Sequence, residues 1–362
     1  MRSAQPRSYA RGRLVETASL PADGRYVLVS DLHIGDGSGG EPFGRKDALF
    51  RHFLDRVASR ADALVIAGDG FDIAQAWRIE RVYERHQGLI DDLVALSGEM
   101  PIHYLRGNHE GNGRALARAL PFEFSLNMTI GDRILVEHGN VFDPHCQPGD
   151  RAAWWATRLH ARLETLISSP IRIPMRKHYC WSTRLGHWVF FHFGLARHLI
   201  SKLQQRAGWH EAARAAQEFL DYWGRGEWGD MNGLLRAAEY VLSGSDVDVL
   251  VCGHSHQPGR VRFDAGEYVN TGSWAFDQAT YALYEDGRFS VRQFGENRVF
   301  EREEYHGVLG PHRDKSFFDW WDTFYRGWFR YDVDLMHAVC GVEPAKPSRP
   351  ADAAAERVEP AA

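Results

Sequence analysis

The sequence predicts an α/β protein in which two β-sheets pack face to face, with helices on their outer surfaces. The first half of the chain alternates short apolar runs with helical periodicity, which favours a parallel sheet. Residues 247–294 instead hold strand-like runs joined by glycine turns, which favours antiparallel pairing. The 362 residues, 44% of them hydrophobic and 25% charged, are enough for a large buried core and exclude a disordered chain.

Three buried strands and two helices are predicted in the first half. The strands are short, mostly apolar runs at Tyr26–Ser30, Ala63–Ala67 and Ile102–Leu105. Apolar residues at helical spacing predict one amphipathic helix over Asp47–Arg60 and a second within Ala76–Leu96. The resulting βαβαβ order is typical of a parallel sheet.

The pattern becomes antiparallel after the third strand. Phe122–Ile130 and Arg133–Glu137 predict a hairpin around Gly131 and Asp132. Four further strand segments are predicted at Val247–Cys252, Val261–Asn270, Tyr281–Glu285 and Phe289–Phe294.

Composition divides the chain into a sandwich, an insertion and three flanking segments. The sandwich is predicted over residues 25–149 and 246–295, and a mainly helical insertion over residues 150–245. The flanking segments are an N-terminal extension, a C-terminal extension and a disordered, Pro- and Ala-rich tail, at residues 1–24, 296–342 and 343–362.

Net charge, cysteine content and hydropathy limit the class of protein. The net charge of −5, taken over the whole chain, argues against a general nucleic-acid binder. Four Cys without a CxxC pair indicate neither a disulfide framework nor a thiolate zinc motif, which fits a reducing cytoplasm best. The polar N-terminus predicts no secretory signal, and no apolar run reaches the roughly 18 residues of a membrane-spanning helix.

The insertion differs from the rest of the chain in charge. Residues 151–210 hold ten Lys and Arg against the single acid Glu164, and aromatic residues lie between the basic ones. This composition fits a cap for an anionic, partly apolar substrate, or a surface for anionic lipid headgroups. It also suits single-stranded nucleic acid, and the aromatic residues could equally pack the insertion's own core. The substrate-binding candidates are Arg172, Arg176 and Lys177.

Aromatic residues recur at helical spacing from Phe317 to Trp328, which predicts an amphipathic helix in the C-terminal extension. Two interpretations stay open. The helix docks its aromatic face on the body or on a second subunit, or it anchors at a membrane interface. Asp319 and Asp322 count against contact with anionic membranes.

Metal-ligand residue types follow each predicted strand of the α/β part. Because open α/β sheets place their sites at the carboxyl ends of the strands, we expect these side chains to converge. Asp, Asn and His without Cys suit Mn²⁺, Fe²⁺, Co²⁺ or Zn²⁺ rather than Mg²⁺, and Mn²⁺ is the ion we expect. Seven ligands are too many for one tetrahedral ion and predict two ions sharing a carboxylate and a hydroxide. The candidates are Asp31, His33, Asp69, Asn108, His138, His254 and His256.

In this combination the motifs resemble those of the calcineurin-like metallophosphoesterases, over about residues 25–145 and 246–295. The resemblance implies a four-layer αββα sandwich with a dinuclear metal centre. One ion would be held by Asp31, His33 and His256, the other by Asn108, His138 and His254, and Asp69 would bridge them.

The resemblance also implies a mechanism in which the metal-bridging hydroxide attacks a phosphoester or pyrophosphate. His109 would protonate the leaving oxygen or stabilise the transition state, and Glu110 would orient His109. No covalent intermediate is needed, because the metal ions lower the pKa of the attacking water.

Two branches of the family share motifs with this chain. Leu105–Glu110 resembles the protein Ser/Thr phosphatases, but Gly68–Asp72 lacks their Val-Asp-Arg-Gly run. Gly253–Pro258 and the position of the helical insertion are closer to bacterial UDP-2,3-diacylglucosamine hydrolases, which cleave a pyrophosphate in a nucleotide-linked lipid. The best-known branch of that group has Arg in place of His109 and Asp in place of Asn140. Asn140 is a further substrate-binding candidate.

The expected partner is therefore an anionic phosphoester substrate, with a lipid-linked substrate and peripheral contact with the inner membrane as extensions of that hypothesis. The alternatives of the same fold are a nuclease, a cyclic-nucleotide phosphodiesterase and a Ser/Thr protein phosphatase; nucleic acid is the less favoured partner. The non-enzymatic alternative is a membrane-surface or protein-binding scaffold.

Overall fold

The computed structural model describes residues 11–37, 41–76, 79–111, 113–143, 146, 196–216, 234–275 and 278–300, with isolated residues between 155 and 192. Within these residues two mixed sheets pack face to face and carry helices on their outer surfaces, as the sequence predicts. The helix predicted at Phe317–Trp328 and the tail predicted at residues 343–362 lie outside the described residues, as do Arg172, Arg176 and Lys177.

The first sheet has eight strands, five of them parallel. In spatial order the strands are β1 (Arg13–Leu14), β6 (Glu123–Ser125), β5 (Ile102–Leu105), β4 (Ala63–Ala67), β3 (Tyr26–Val29), β12 (Thr280–Glu285), β13 (Arg288–Gln293) and β14 (Arg298–Val299). The first five strands in this spatial order run parallel to one another. Strand β12 pairs antiparallel with β3, and β13 and β14 continue the antiparallel pairing. The three strands predicted in the first half are therefore confirmed as neighbours β3, β4 and β5.

The second sheet has six strands and contributes the remaining motif loops. In spatial order they are β10 (Gly259–Phe263), β11 (Gly266–Asn270), β9 (Val249–Cys252), β8 (Ile134–Glu137), β7 (Asn127–Ile130) and β2 (Thr17–Leu20). Strands β8 and β9 run parallel to each other, so their carboxyl ends lie at the same edge of the sheet.

The predicted hairpin is only partly correct. Strands β7 and β8 form it, with Asn127 opposite Glu137 and Gly131 at the turn. The run Phe122–Ile130 is not one strand, however, because β6 pairs in the first sheet and β7 in the second. The chain changes sheets at Leu126, and an uninterrupted β-like sequence does not reveal such a crossing.

Helices cover both outer faces. The first sheet is covered by α1 (Asp47–Arg56), α2 (Ile73–Ala76), α3 (Ile79–Ser97) and α4 (Arg114–Ala119), and the second by α5 (Leu234–Gly244). Helix α3 is kinked at His86, whose backbone is not helical (φ −118°, ψ 28°). Among the described residues no helix is long and apolar enough to cross a membrane.

Strand β3 shows why the predicted strands read as continuous apolar runs. Val27 and Val29 face the helices, whereas Tyr26 and Leu28 face the second sheet. Both faces are buried, so every position is apolar instead of every second one. Each such Val or Leu contributes about 1.5–3 kcal/mol on burial, which holds the strand ends, and the loops that follow them, in fixed positions.

The sandwich extends beyond the sequence-based boundaries at three places. Strands β1 and β2 lie within the N-terminal extension predicted at residues 1–24. Strand β14 lies beyond residue 295, and α5 lies within the insertion predicted at residues 150–245. Of that insertion the structure also describes helical residues 196–206 and 210–216.

Candidate metal centre

The candidate ligands all lie on loops that follow strand ends. Asp31 and His33 follow β3, Asp69 follows β4, and Asn108 follows β5. In the second sheet His138 follows β8, and His254 and His256 follow β9. The two sheets bring these loops together at one end of the sandwich, which is where open α/β sheets place their sites.

Five of these candidates have a left-handed backbone. Their φ values lie between 50° and 60°, and Asp286, in the turn after β12, is the other non-glycine case within the described residues. This conformation costs a non-glycine residue about 1–3 kcal/mol, and it persists where the surrounding structure enforces it, commonly at functional sites. The five residues are Asp31, His33, Asp69, His254 and His256.

Two glycines allow the loops to approach one another. A Cβ on Gly107 would lie 2.1 Å from Oδ1 of Asp69, and a Cβ on Gly253 would lie 2.2 Å from the Ser30 hydroxyl oxygen. No side chain fits at either position without moving a candidate ligand or its neighbour.

The first ligand group consists of Asp31, His33 and His256, whose ligand atoms lie within 4.8 Å of one another. Nε2 of His256 is 3.1 Å from Oδ1 of Asp31 and 3.2 Å from Nε2 of His33. The other oxygen of Asp31 accepts hydrogen bonds from the backbone N–H of His254, at 2.9 Å, and from the Ser30 hydroxyl. These bonds leave Oδ1 as the oxygen that faces the two rings.

The second ligand group contains Asp69, His138 and His254, again within 4.8 Å. Nε2 of His138 is 3.2 Å from Oδ2 of Asp69 and 3.2 Å from Oδ1 of Asn108. Nδ1 of His138 is 2.9 Å from the carbonyl oxygen of Ala67, so it donates its proton there and Nε2 faces the group. Asp69 also forms a group with His33 and His109, which places it between the two sets of ligands.

The protonation states suit cation binding. Burial opposes ionisation of Asp31, but the His256 and His138 rings outweigh it and hold the pKa of Asp31 at about 2. Burial likewise opposes ionisation of Asp69, and His138 and His109 hold its pKa well below the usual range. Burial lowers the pKa of His33 to about 4, so its ring is neutral, as a ligand must be.

The cluster carries negative charge that a cation would neutralise. Burial alone would lower the pKa of His138, yet Asp69 and Asp31 raise it to about 10. The buried Oδ1 of Asp31 has no hydrogen bond of good geometry within the described part of the chain, and it faces the His256 and His33 rings at 3.1 and 3.8 Å. Carboxylate, amide and imidazole groups that face one another across the cluster fit divalent transition-metal ions.

His109 is held by Asp72. Nδ1 of His109 lies 2.9 Å from Oδ1 of Asp72, its backbone N–H donates to Oδ1 of Asp69 at 2.9 Å, and its Nε2 lies 3.9 Å from Oδ2 of Asp69. Glu110 was expected to orient His109, but the carboxylate at Nδ1 of His109 is that of Asp72. Asp72 lies three residues after Asp69, and this spacing within the Gly68–Asp72 motif was the signal that could have identified it.

Glu110 is buried, and its hydrogen bonds are made to Tyr104 and Gly107. Its carboxylate accepts hydrogen bonds from the Tyr104 hydroxyl, at 2.6 Å, and from the backbone N–H of Gly107, at 2.9 Å. The same hydroxyl accepts a hydrogen bond from the backbone N–H of Phe71, at 2.9 Å. Burial, followed by the charge of Asp69, raises the pKa of Glu110 to about 8. Glu110 and Tyr104 thus join the loop after β4 to the loop after β5.

Asp143 and Asn140 lie on the loop after β8. Oδ2 of Asp143 is 3.0 Å from Nε2 of His254, which leaves Nδ1 of that ring for the second ligand group. Asn140, a predicted substrate-binding residue, is buried, and its side-chain amide donates to the carbonyl oxygen of Cys146 at 2.9 Å. The contact that the structure gives Asn140 is therefore within its own loop.

The family model of calcineurin-like phosphoesterases matches residues 24–258, more than half of the chain. The chain belongs to the calcineurin-like phosphoesterases. This family depends on a dinuclear metal centre, and this phosphoesterase is accordingly a metal-dependent phosphoester hydrolase. The fold and the resemblance predicted from the sequence are both confirmed.

Curated relatives of this phosphoesterase include the UDP-2,3-diacylglucosamine hydrolases of Bordetella pertussis and Bordetella parapertussis. Each is 28% identical over 251 residues, which cover 67% of this chain and 80% of the relative. Solved structures that match this chain include a phosphoesterase from E. coli, with 14% identity and a TM-score of 0.34, covering 76% of this chain and 96% of that one. A dimetal phosphatase from Danio rerio has 12% identity and a TM-score of 0.36, and the match covers 74% of this chain and 95% of that chain.

Proposed function

We propose that this phosphoesterase hydrolyses the pyrophosphate bond of a nucleotide-linked lipid, of the class of UDP-2,3-diacylglucosamine. The observation that carries the proposal is the 28% identity over 251 residues to hydrolases of that substrate. The basic, aromatic insertion supports it, because an anionic and partly apolar substrate needs both kinds of side chain. The substrate's phosphates would be neutralised by Arg172, Arg176 and Lys177.

Two divalent ions would be held by the ligand groups described above, with Mn²⁺ as the expected ion. The first would be bound by Asp31, His33 and His256, the second by Asn108, His138 and His254, and Asp69 would contact both. When bound, such ions lower the pKa of water towards neutrality and stabilise the charge that develops on phosphoryl oxygens.

His109 would donate the proton that the leaving oxygen requires. The Asp72 carboxylate at Nδ1 stabilises the protonated ring and fixes its orientation, so that Nε2 faces the ligand groups. The backbone N–H of His109 donates a hydrogen bond to the Asp69 carboxylate at 2.9 Å. This bond holds the proton donor close to the predicted bridging carboxylate. Positioned general acids of this kind contribute about 10²- to 10⁴-fold to a rate.

The test is hydrolysis of a substrate panel by the full chain with Mn²⁺, with a chelator control. The panel consists of UDP-2,3-diacylglucosamine, a cyclic nucleotide, single-stranded DNA and a phosphopeptide. We expect chelator-sensitive release of UMP from the first substrate at a rate well above the others. Preferential turnover of any other member would contradict the proposed substrate class while leaving phosphoesterase chemistry intact.

The strongest competing candidate is a nuclease, because ten basic residues between 151 and 210 would also suit a polyanion. Substituting Arg172, Arg176 and Lys177 together would then abolish DNA cleavage and leave hydrolysis of a small phosphodiester unchanged. For a lipid pyrophosphatase, the same variant should raise the KM for UDP-2,3-diacylglucosamine.

A further inference from the structure

A third group of metal-ligand side chains lies beside the catalytic cluster. Asp143, Cys146 and His254 each present a ligand atom within 4.8 Å of the other two. Asp143 is buried, and its Oδ2 lies 3.0 Å from Nε2 of His254. Cys146 is half-buried and forms no disulfide. Neither Asp143 nor Cys146 belongs to the ligand sets assigned to the two catalytic ions.

The loop holds these residues in a fixed arrangement. A short helical turn, Asn140–Phe142, follows Gly139, whose φ of 111° suits glycine alone. The backbone N–H of Cys146 donates to the carbonyl oxygen of Asp143 at 3.0 Å, and the carbonyl oxygen of Cys146 accepts from the Asn140 amide at 2.9 Å. The backbone of Cys146 is thus fixed on both sides of its Cα, next to the Asp143 carboxylate.

We propose that Asp143, Cys146 and His254 form an auxiliary Zn²⁺ site whose occupation inhibits the enzyme. Thiolate, imidazole and carboxylate are the donors that Zn²⁺ prefers, and three protein ligands leave its fourth position to water. Mn²⁺ has much less affinity for a thiolate, so the auxiliary site and the catalytic centre select different ions. Binding releases the thiol proton of Cys146 and the Nε2 proton of His254, and no oxidation or reduction takes place.

His254 connects the auxiliary site to the catalytic centre. With Nε2 facing Asp143, its ring has only Nδ1 to offer to the group that contains Asp69 and His138. A Zn²⁺ ion at Nε2 would place a second divalent charge on the ring that offers Nδ1 to a catalytic ion, and repulsion between the two cations would weaken the binding of that ion. The inhibitory part of this proposal rests on the proposed function, because it requires His254 to act in catalysis; the binding part does not.

The cysteine that binds the metal can be identified by substitution, because the chain has only four cysteines. Cys252, the other cysteine in the described residues, is packed in the apolar core beneath α5 and lies in none of the ligand groups. Cys180 and Cys340 lie outside the described residues and serve as matched controls.

The binding test is titration of the metal-free full chain with Co²⁺, which absorbs in the near ultraviolet when a thiolate is bound to it. We expect this absorption in the wild type, in Cys180→Ser and in Cys340→Ser, and its loss in Cys146→Ser and Cys146→Ala. Asp69→Asn should keep it, since that substitution damages only the catalytic centre. Absence of the band in the wild type, or its survival in both Cys146 variants, overturns the proposal.

The coupling test measures inhibition of the Mn²⁺-loaded enzyme by added Zn²⁺. Cys146→Ser removes a proposed Zn²⁺ ligand, so the Zn²⁺ concentration needed for half-inhibition should rise by more than about 10-fold, the smallest effect typical of losing an outer-sphere partner. Its activity with Mn²⁺ alone should stay unchanged. Equal inhibition of the wild type and Cys146→Ser would show that Zn²⁺ acts at the catalytic centre and would overturn the coupling. If the wild type lacks hydrolytic activity, the proposed function fails and the Co²⁺ titration alone decides the site.

Discussion

Nδ1 of His109 lies 2.9 Å from one oxygen of Asp72, and Nδ1 of His33 lies 3.5 Å from the other. A single buried carboxylate therefore contacts the proposed proton donor and a proposed metal ligand. Asp72 also accepts the backbone N–H of Gln75, at 2.9 Å, and so begins helix α2. The carboxylate is anchored to a helix start, which limits its movement and that of both rings.

Replacing Asp72 with Asn should reduce catalysis more than substrate binding. The amide cannot stabilise a protonated His109 as a carboxylate does, and we expect kcat to fall by about 10- to 100-fold with little change in KM. His109→Ala should lose about 10²- to 10⁴-fold in kcat and keep its bound metal. His103→Gln is the matched control. It removes another histidine–carboxylate pair, between His103 on β5 and Glu123 on β6 at 3.1 Å, and should leave kcat unchanged. Unchanged kcat in Asp72→Asn would contradict this positioning role.

Gly107→Ala should disrupt the metal centre without unfolding the sandwich. The added Cβ would lie 2.1 Å from Oδ1 of Asp69, so the carboxylate has to move from its position between the two groups. We expect loss of bound metal and of turnover, measured by elemental analysis and substrate hydrolysis. Gly88→Ala in helix α3 is the control: its nearest neighbour would be Arg51 at 3.9 Å, and it should stabilise the helix by about 0.5–1 kcal/mol. Full metal content in Gly107→Ala would count against the bridging role of Asp69.

Tyr104→Phe should destabilise the connection between the loops after β4 and β5. Without its hydroxyl, the buried Phe71 N–H and one Glu110 oxygen lose a hydrogen bond, at a cost of about 1–3 kcal/mol. Urea unfolding of the variant measures this loss. Tyr83→Phe is the control. It removes a hydrogen bond from the less buried Tyr83 hydroxyl to the carbonyl oxygen of Ala119, at 3.1 Å, and should lower the free energy of unfolding by about 0.5–1.5 kcal/mol. Equal, small losses in the two variants would show that the Tyr104 hydroxyl does not join the loops.

The free energy of unfolding should fall with increasing pH through His86. Burial lowers the pKa of this ring, but hydrogen bonds to Glu41, at 3.1 Å, and Asp47, at 2.7 Å, outweigh it and leave the pKa raised. The folded state therefore binds the proton more tightly than the unfolded state, where the pKa of histidine is about 6.5. The stabilisation is complete below that pH and is lost as pH rises through the folded-state pKa.

Unfolding of the wild type and His86→Gln across a pH series tests this effect. We expect the difference in unfolding free energy to be largest at acidic pH and to shrink as pH rises. A difference that stays constant with pH would mean that His86 contributes through packing alone.

The buried strands and the ligand motifs were predictable because their signals are local. A strand such as β4 is apolar at every position, and the glycines and polar ligands follow it directly in the sequence. Strand polarity then determines that the loops after β3, β4 and β5 meet at one edge. No knowledge of distant contacts was needed for that inference.

The remaining features depend on contacts between distant parts of the chain. Strand β2 is short, and its Thr17 and Ser19 are exposed, so it is stabilised by pairing with β7 and not by an apolar pattern. Asp72 and Asp143 resemble ordinary turn residues in sequence, and only the fold brings them to His109 and His254. Glu110 adjoins His109 in sequence, yet its side chain points to Tyr104.

The most direct test of the dinuclear centre is the metal content and turnover of Asp69→Asn, measured beside Asp286→Asn. Both positions hold an aspartate with φ near 50°, which Asn tolerates, but Asp286 lies in the turn after β12, away from the ligand groups. We predict about two ions per chain in the wild type and in Asp286→Asn, and reduced metal content without turnover in Asp69→Asn. Two bound ions and full activity in Asp69→Asn would contradict the assignment of Asp69 as the carboxylate shared by the two metal positions.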